Sequence, residues 1–596
     1  MSSDLDLAPI GNCAASALID RSGRFVWACV PRVDGDPMFC ALLSGKDAGE
    51  AQVGVWAIDL IDQVSAEQTY ERNTPILITT LTDARGNVLE IVDFCPRYRR
   101  RNRTYRPLAF VRIVRPIKGT PRIRVRLAPA ADWGARAAEH TSGSNHIRYL
   151  VPGNLRLTTS APVSNVVEGR VFRLETEHVF FLGPDEDFGE DLRATVRLMR
   201  ENTSFYWRAW ARTLATPLEW QAHVIRAAIT LKLCVHEETG AIVAALTTSI
   251  PEAPNSGRNW DYRYCWIRDA YYTVQALNRL GAADILEGYL AYLRNIIDAT
   301  PSGRIQPLYG VGMEPILQEA EMKTLPGYRG MGPIRVGNQA HEHHQHDVYG
   351  QIVLSTVQAF YDTRLYRPAG VDDFLALESI GDRAYTYYDK ADAGLWEFRT
   401  REAPHTYSAI MCWAACDRLA GAANKLGLED RAEHWRARAD EMRAAIENGA
   451  WNVDLGRFAA TLGGGEMDAS LLQALDTRFL APADPRFLAT LEHLERDLRR
   501  GNHVLRYAEE DDFGKPETAF NFCTFWLIEA LHLVGRREEA RALFEQMLAR
   551  RTNAGLLSED CDLATGEPWG NYPQTYSLAG LINCAVLLSD PWSTVR

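Results

Sequence analysis

No two of the eleven cysteines form a Cys-x-x-Cys pair, and their number is odd. That excludes a zinc knuckle and speaks against a disulfide framework. Cys412 and Cys416, one helical turn apart in an apolar stretch, read as buried thiols of a reducing compartment. The chain also lacks an uninterrupted apolar run long enough to span a bilayer, so no membrane span is expected. Its opening, MSSDLDLAPIGNC, has no basic stretch followed by an apolar one, and a cytoplasmic location is the expectation. Excess positive charge is missing too. The 65 Lys and Arg against 77 Asp and Glu leave a net charge of −12, which speaks against general affinity for nucleic acid or anionic membrane. GYRGMGPIRVG (327–337) is glycine-rich but has no P-loop Lys-Ser/Thr, and it reads as a pocket-lining loop. HEHHQH (341–346) is not HExxH, because Gln345 stands where the second histidine would be. It reads as a polar wall, not a metal site. No cofactor and no metal are expected.

What is present is an ordinary globular composition, 46% apolar and 24% charged over 596 residues, long enough for more than one domain. The 15 Trp and 23 Tyr are a generous aromatic supply, suited to stacking on flat ligand faces and equally to large cores. From about residue 10 to 200 the pattern is that of short strands, as in ILITTLTDARGNVLEIVDF and PRIRVRLAPA, broken by Gly, Asn and Pro. An antiparallel β-sandwich is expected. The arginine-rich run Arg97 to Arg106 lies between two strand candidates and reads as a solvated hairpin or a domain-contact loop.

From about Leu218 the period becomes helical and stays so. Twelve helix candidates follow, at 218–237, 267–281, 284–298, 346–366, 371–390, 406–427, 429–448, 468–480, 484–499, 518–535, 537–550 and 574–588. The second, fourth, sixth, tenth and twelfth are apolar nearly all round, and the seventh, ninth and eleventh are charged on one face. The eighth is short and weak. Helices apolar on every side belong inside and one-sided helices outside, so the alternation predicts an (α/α)6 barrel of two concentric rings. The expected architecture is multidomain: a β-sandwich domain at 1–215, a linker with the first barrel helix at 216–245, and the barrel at 246–596.

In such a barrel the inner helices run the same way, and the loops entering them share one face. Those loops hold Trp260-Asp261 with Arg268-Asp269, the segment His341 to His346, Trp396-Glu397, Arg506-Tyr507, and Glu559 with Glu567. Glu397 follows Leu395 and Trp396 in a turn before an apolar helix. A carboxyl beside an indole at a helix mouth is a place where desolvation can hold a proton on the acid. Alone, it reads more readily as a surface turn with a Trp anchor. Carboxylates facing each other across a pit are what glycoside hydrolysis requires. Trp266, Trp396 and Trp569 could each lie against a pyranose face or simply pack in the core.

The segments RNWDYRYCWIRDA (258–270), QHDVYG (345–350), GLWEFRT (394–400), RYAEEDDFG (506–514) and GLLSEDCDLATGEPWGNYPQTYSLAGLINCA (555–585) resemble glycoside hydrolase family 15, which comprises glucoamylases, glucodextranases and bacterial trehalases. The stretch 10–43 is similar to the opening of its two-domain bacterial members. The resemblance implies that Glu397 is the general acid and Glu559 the general base. It implies that Arg268 and Asp269 grip the outer hydroxyls of the non-reducing glucose, with Arg506 lining the same subsite. Glu567, on the same loop as Glu559, is the rival for the base, and His341 is taken as a wall of the outer subsite. The family inverts configuration, which implies a water between Glu559 and the anomeric carbon and carboxyl groups roughly 6.5–9.5 Å apart. His341, His343 and His344 are more histidines than that family pattern carries.

The resulting expectation is an inverting, exo-acting α-glucosidase of glucoamylase type that releases β-glucose from an oligosaccharide. An α,α-trehalase of the same family is the alternative. From other classes come a non-catalytic carbohydrate-binding scaffold, or a phosphorylase or lyase on a similar barrel. The partner expected is an α-glucoside, with oligomeric state left open.

Overall fold

The computed structural model describes residues 4–186, 188, 191–300 and 303–595. Its first part is two antiparallel sheets packed face to face. One runs in the order Ala8–Gly11, Ser16–Ile19, Phe25–Val30, Val55–Leu60, Arg122–Ala128 and Val171–Arg173, with Asp36–Phe39 paired to Phe25–Val30. The other runs His140–Ser142, His146–Tyr149, Arg156–Thr159, His178–Gly183, Phe110–Lys118, Val88–Phe94, Leu77–Asp83 and Gln63–Tyr70. Strict alternation in Leu77–Asp83 sends every second side chain inward, the period-2 signature of a half-buried strand. Phe25, Trp56, Leu77, Ile91, Phe110 and Phe180 fill the space between the sheets. The arginine-rich run forms the hairpin Tyr98–Arg100 with Arg103–Tyr105.

Fourteen α-helices occur among the described residues: α1 Val163–Val167, α2 Leu192–Thr213, α3 Gln221–Leu233, α4 Ile267–Arg279, α5 Ala283–Ala299, α6 Asp347–Thr356, α7 Val371–Tyr387, α8 Thr406–Leu426, α9 Glu429–Ala450, α10 Gln473–Asp476, α11 Pro485–Leu498, α12 Asn521–Leu533, α13 Arg537–Ala549 and α14 Thr575–Leu588. The helical period therefore begins at Leu192, earlier than the sequence pattern suggested, and the stretch up to residue 200 is not all strand. Val196, Met199, Trp207 and Trp210 of α2 form a buried helical stripe. Its first turns cover the outer face of the second sheet, against Phe94, Val111 and Phe181.

Helices α4, α6, α8, α10, α12 and α14 touch one another in sequence and close a ring. Helices α3, α5, α7, α9, α11 and α13 pack around it, giving the (α/α)6 barrel. Along α14, TYSLAGLINCAVLL, burial is nearly continuous. Along α9 it is confined to Ala432, Trp435, Ala439, Met442, Ile446 and Ala450, one stripe of an amphipathic helix. Two inner members depart from their expected lengths. The fourth candidate ends as α-helix at Thr356 and tightens into a 3-10 turn at Val357–Phe360, while the eighth is a 3-10 turn at Ala469–Leu472 followed by the short α10.

Sandwich and barrel share one apolar core, in which Leu7, Leu18, Trp27 and Val55 pack with Val224, Ile229 and Leu231. Hydrogen bonds cross the same contact. Trp27 Nε1 donates to the Leu246 carbonyl at 2.7 Å, Arg263 Nη1 to that of Gly35 at 2.7 Å, and Tyr572 Oη to that of Leu7 at 2.6 Å. All eleven cysteines are buried and unbridged. No helix among the described residues is long and apolar enough to cross a membrane.

Candidate active site

A pit of about 80 Å³ opens at the end of the barrel where the inner helices begin, room for roughly six waters. Glu397 and Glu559 both line it, with Glu252, Tyr262, Arg268, Trp396, Arg506 and Tyr576. Every lining residue comes from Glu252 onward. The sandwich supports the pit from behind, through the Arg263–Gly35 contact.

Glu397 stands on a loop pinned from below. The buried Asp392 carboxylate accepts from His346 N at 2.7 Å, Ser408 Oγ at 2.8 Å and Gly394 N at 3.2 Å, and burial pushes it up to about 8. Gly394 has φ +67°, and a β-carbon there would lie 2.6 Å from the His405 ring, so glycine is required. Glu397 itself has φ 62°, a left-handed conformation costly for a side chain with a β-carbon and typical of functional turns. Donors converge on its Oε1: Trp266 Nε1 at 2.6 Å, Gln345 Nε2 at 3.2 Å, and both Arg268 amino groups at 3.4 Å. Oε2 has no hydrogen bond among the described residues.

The indole beside Glu397 is thus Trp266, not its sequence neighbour. Trp396 lines the pit but turns its Nε1 to Asp468 Oδ2 at 2.6 Å.

Glu559 lines the same pit and is 2% exposed. Its Oε1 accepts from the Tyr262 hydroxyl at 2.6 Å, while Oε2 is buried without a partner. Burial, with Glu252 and Asp560 nearby, pushes this carboxyl well above the usual range; Arg506 and the Tyr262 hydroxyl oppose that. Tyr262 and Trp266 pack edge to face with ring centroids 5.4 Å apart. One aromatic pair therefore hands a hydrogen to each carboxylate and keeps the two on separate partners.

Charged groups with unused capacity lie in and beside the pit: Arg268 and Arg506 line it, whereas Asp269 and Asp347, which interact with Arg268, do not. Arg268 is fixed by the Leu395 carbonyl at 2.8 Å and lies 3.3 Å from Asp269. Burial pushes Asp269 up to about 7 against the pull of Arg268, and pushes Asp347 up to about 6. Arg506 Nη2 donates to Glu252 Oε2 at 2.6 Å and lies 3.4 Å from Asp560. Arg268 Nε, Asp269 Oδ2, Asp347 Oδ1, Arg506 Nε, Glu559 Oε2 and Tyr576 Oη are all buried without a hydrogen bond. Buried polar atoms are normally satisfied, so this cluster has the character of a site for a ligand rich in hydroxyls.

Several expected site residues lie elsewhere. Trp569 is buried under Tyr328, with ring centroids 6.1 Å apart, and is not in the pit. The hairpin Asp560–Cys561 with Pro568–Trp569 explains this: Glu559 begins it at the pit, and the chain then runs outward and back. Glu567 follows the turn at the far end, paired with Arg329 at 2.8 Å, so it does not reach the pit. His341 points its ring at the Asn338 carbonyl, 2.9 Å away, and the histidine lining the pit is His343, whose two ring nitrogens have no partner. His346 stacks on Tyr387, and no His, Cys, Asp and Glu group among the described residues is arranged to hold a metal. Of the remaining acids, Glu402 lies near His344 at 3.8 Å and Glu517 is exposed. Sequence reasoning missed Glu252, Tyr262 and Gln345. Tyr262 and Gln345 left a signal there, since each lies within a quoted motif, RNWDYRYCWIRDA and QHDVYG; Glu252 left none.

Two differently partnered carboxylates lining one pit at the mouth of a helical toroid, beside unsatisfied buried polar groups, fit a glycosidase. A model described as "Glycosyl hydrolases family 15" matches residues 220–586, and one described as "Trehalase-like, N-terminal" matches 6–176. The chain belongs to glycosyl hydrolase family 15. A trehalase of Mycobacterium tuberculosis is 32% identical across 98% of this chain and 89% of its own length. One from Thermoplasma volcanium is 29% identical across 98% and 93%. Among solved structures, a bacterial glucoamylase complexed with acarbose superposes with a TM-score of 0.69 at 13% identity, covering 98% of this chain and 94% of its own. That likeness concerns the fold.

Proposed function

We propose that the protein is an α,α-trehalase that cleaves the 1,1-bond of trehalose with inversion. The observation that carries the reading is the Tyr262–Trp266 pair, which presents two differently partnered carboxylates to one small pit. The trehalase alternative is preferred to oligosaccharide trimming because the relatives that span nearly the whole chain are named trehalases.

Chemically, one glucose enters the pit and its hydroxyls meet Arg268, Asp269, Arg506 and Tyr576. Glu397 gives its proton to the glycosidic oxygen as the bond to the anomeric carbon breaks. Ionised Glu559 takes a proton from a water whose oxygen attacks that carbon from the opposite face. The second glucose leaves with the glycosidic oxygen, and proton exchange with solvent resets both acids.

Replacing either acid by its amide keeps shape and hydrogen bonding while removing proton transfer. Glu397→Gln and Glu559→Gln should each lower kcat on trehalose by about 10²–10⁴-fold, with unchanged circular dichroism. Full activity in either variant, or wild-type preference for maltotriose over trehalose, overturns the reading.

A further inference from the structure

Part of the pit's lining comes from the strap Tyr507–Gly514, through Tyr507, Asp511, Asp512 and Phe513, and neighbouring acids tie its turn to two different loops. Arg258 grips Asp511 with both amino groups, at 2.5 and 2.6 Å, and its Nη2 also donates to the Gly514 carbonyl at 2.8 Å. The two side chains are only 7% and 5% exposed, and the Tyr507 hydroxyl joins the same carboxylate. Asp512 and Phe513 are the central residues of a tight turn closed by backbone hydrogen bonds between Asp511 and Gly514, and Asp512 binds elsewhere. It accepts from the backbone N–H of Arg399 at 2.6 Å and from the Thr400 hydroxyl, two and three residues beyond Glu397.

Phe513 then lies edge to face on Trp260, with ring centroids 5.0 Å apart. Arg399 covers the same indole at 4.3 Å and is itself fixed by Glu319 at 2.8 and 3.0 Å and by Gln339 at 2.9 Å. Arg258, Trp260, Arg399, Asp511, Asp512 and Phe513 all line the pit that holds Glu397 and Glu559.

The geometry points to a specificity device: Asp512 and Phe513 hold, in the lining of the pit, a strap that admits a second sugar ring and excludes a third. The inference rests on the trehalase reading and names what limits substrate length at that site. The Arg258–Asp511 fork is buried and charge-assisted, which makes it the anchor. The Asp512 contact lies at the surface, so releasing it unties the turn from the Glu397 loop at little cost to the fold. A ring attached to the far side of the second glucose would have to occupy the space of Phe513 or Arg399. Steric exclusion of the longer ligand is negative discrimination and can be removed by truncation.

The test compares trehalose with its trisaccharide extension, in which one glucose of trehalose carries a further α-1,4-linked glucose, so that the scissile 1,1-bond is the same and only length differs. Wild type, Asp512→Ala and Phe513→Ala are assayed for kcat/KM on both, the trisaccharide by release of glucose plus maltose. Both variants should raise the trisaccharide-to-trehalose ratio by about tenfold or more while KM for trehalose rises. A ratio unchanged within about twofold, or equal losses on both substrates, overturns the strap while leaving the trehalase reading intact. Wild type inactive on trehalose but active on maltose would overturn the reading itself and the strap with it.

Discussion

The Tyr262 hydroxyl donates to Glu559 at 2.6 Å, and this one hydrogen bond competes with burial for control of the base. A general base works when ionised, so activity is present above its pKa and lost as pH falls through it. Burial and two neighbouring carboxylates raise that pKa, so the acid limb of kcat/KM should sit above the ordinary glutamate value of about 4.3. Tyr262→Phe removes a donor that favours the charged form. The limb should move to higher pH, with kcat reduced at its optimum; a pH profile superimposable on wild type would contradict this role. The residues legible in sequence were those whose motif carries their chemistry: Glu397, Glu559, Arg268 and Arg506 all face the pit. Glu252, 254 positions before its partner Arg506, left no local trace. His341 lies in the 3-10 turn Gln339–Glu342 and His343 just past its end, and only the local backbone tells which ring faces the pit. Trp569 was unreadable for the same reason, because the alternation of a two-residue strand decides its face.

At the scale of elements, the hairpin after Glu559 closes at Gly570, with φ +73°, where a β-carbon would lie 2.6 Å from both Cβ and Oε2 of Glu559. Gly570→Ala should therefore displace the base as well as strain the turn. The left-handed conformation alone costs an alanine about 1–2 kcal/mol, which Gly535→Ala isolates, since Gly535 has φ +92° and open space around it. Both variants should lose melting temperature, and only Gly570→Ala should lose about tenfold or more in kcat. Equal activity in the two would contradict the placement. The inner helices were legible because all-round apolarity in helices too short or too polar to cross a membrane has one explanation, burial within the fold. Helix α2 was overlooked although Val196, Met199, Trp207 and Trp210 carry a helical stripe, because a run of strands before it and polar residues such as Arg197, Arg200 and Glu201 within it blur the change of period. The short inner member α10 shows where apolar length was insufficient for a full helix.

For the whole molecule, the shared core makes sandwich and barrel one cooperative unit, not two beads. Trp27, from the first sheet, is 2% exposed and hydrogen-bonded to Leu246 beside the barrel. Trp27→Ala should cost about 3–5 kcal/mol, and calorimetry should show a single transition moving as a whole. Separate sandwich and barrel transitions, with only the first shifted, would contradict the coupling. The central claim concerns what the assembled pit does to one bond, and time-resolved proton NMR of trehalose hydrolysis tests it most directly. Attack by water with inversion yields β-glucose from the ring attacked, while the leaving ring keeps its α configuration. The account predicts α- and β-glucose appearing in equal amounts before mutarotation, and initial release of α-glucose alone would contradict it.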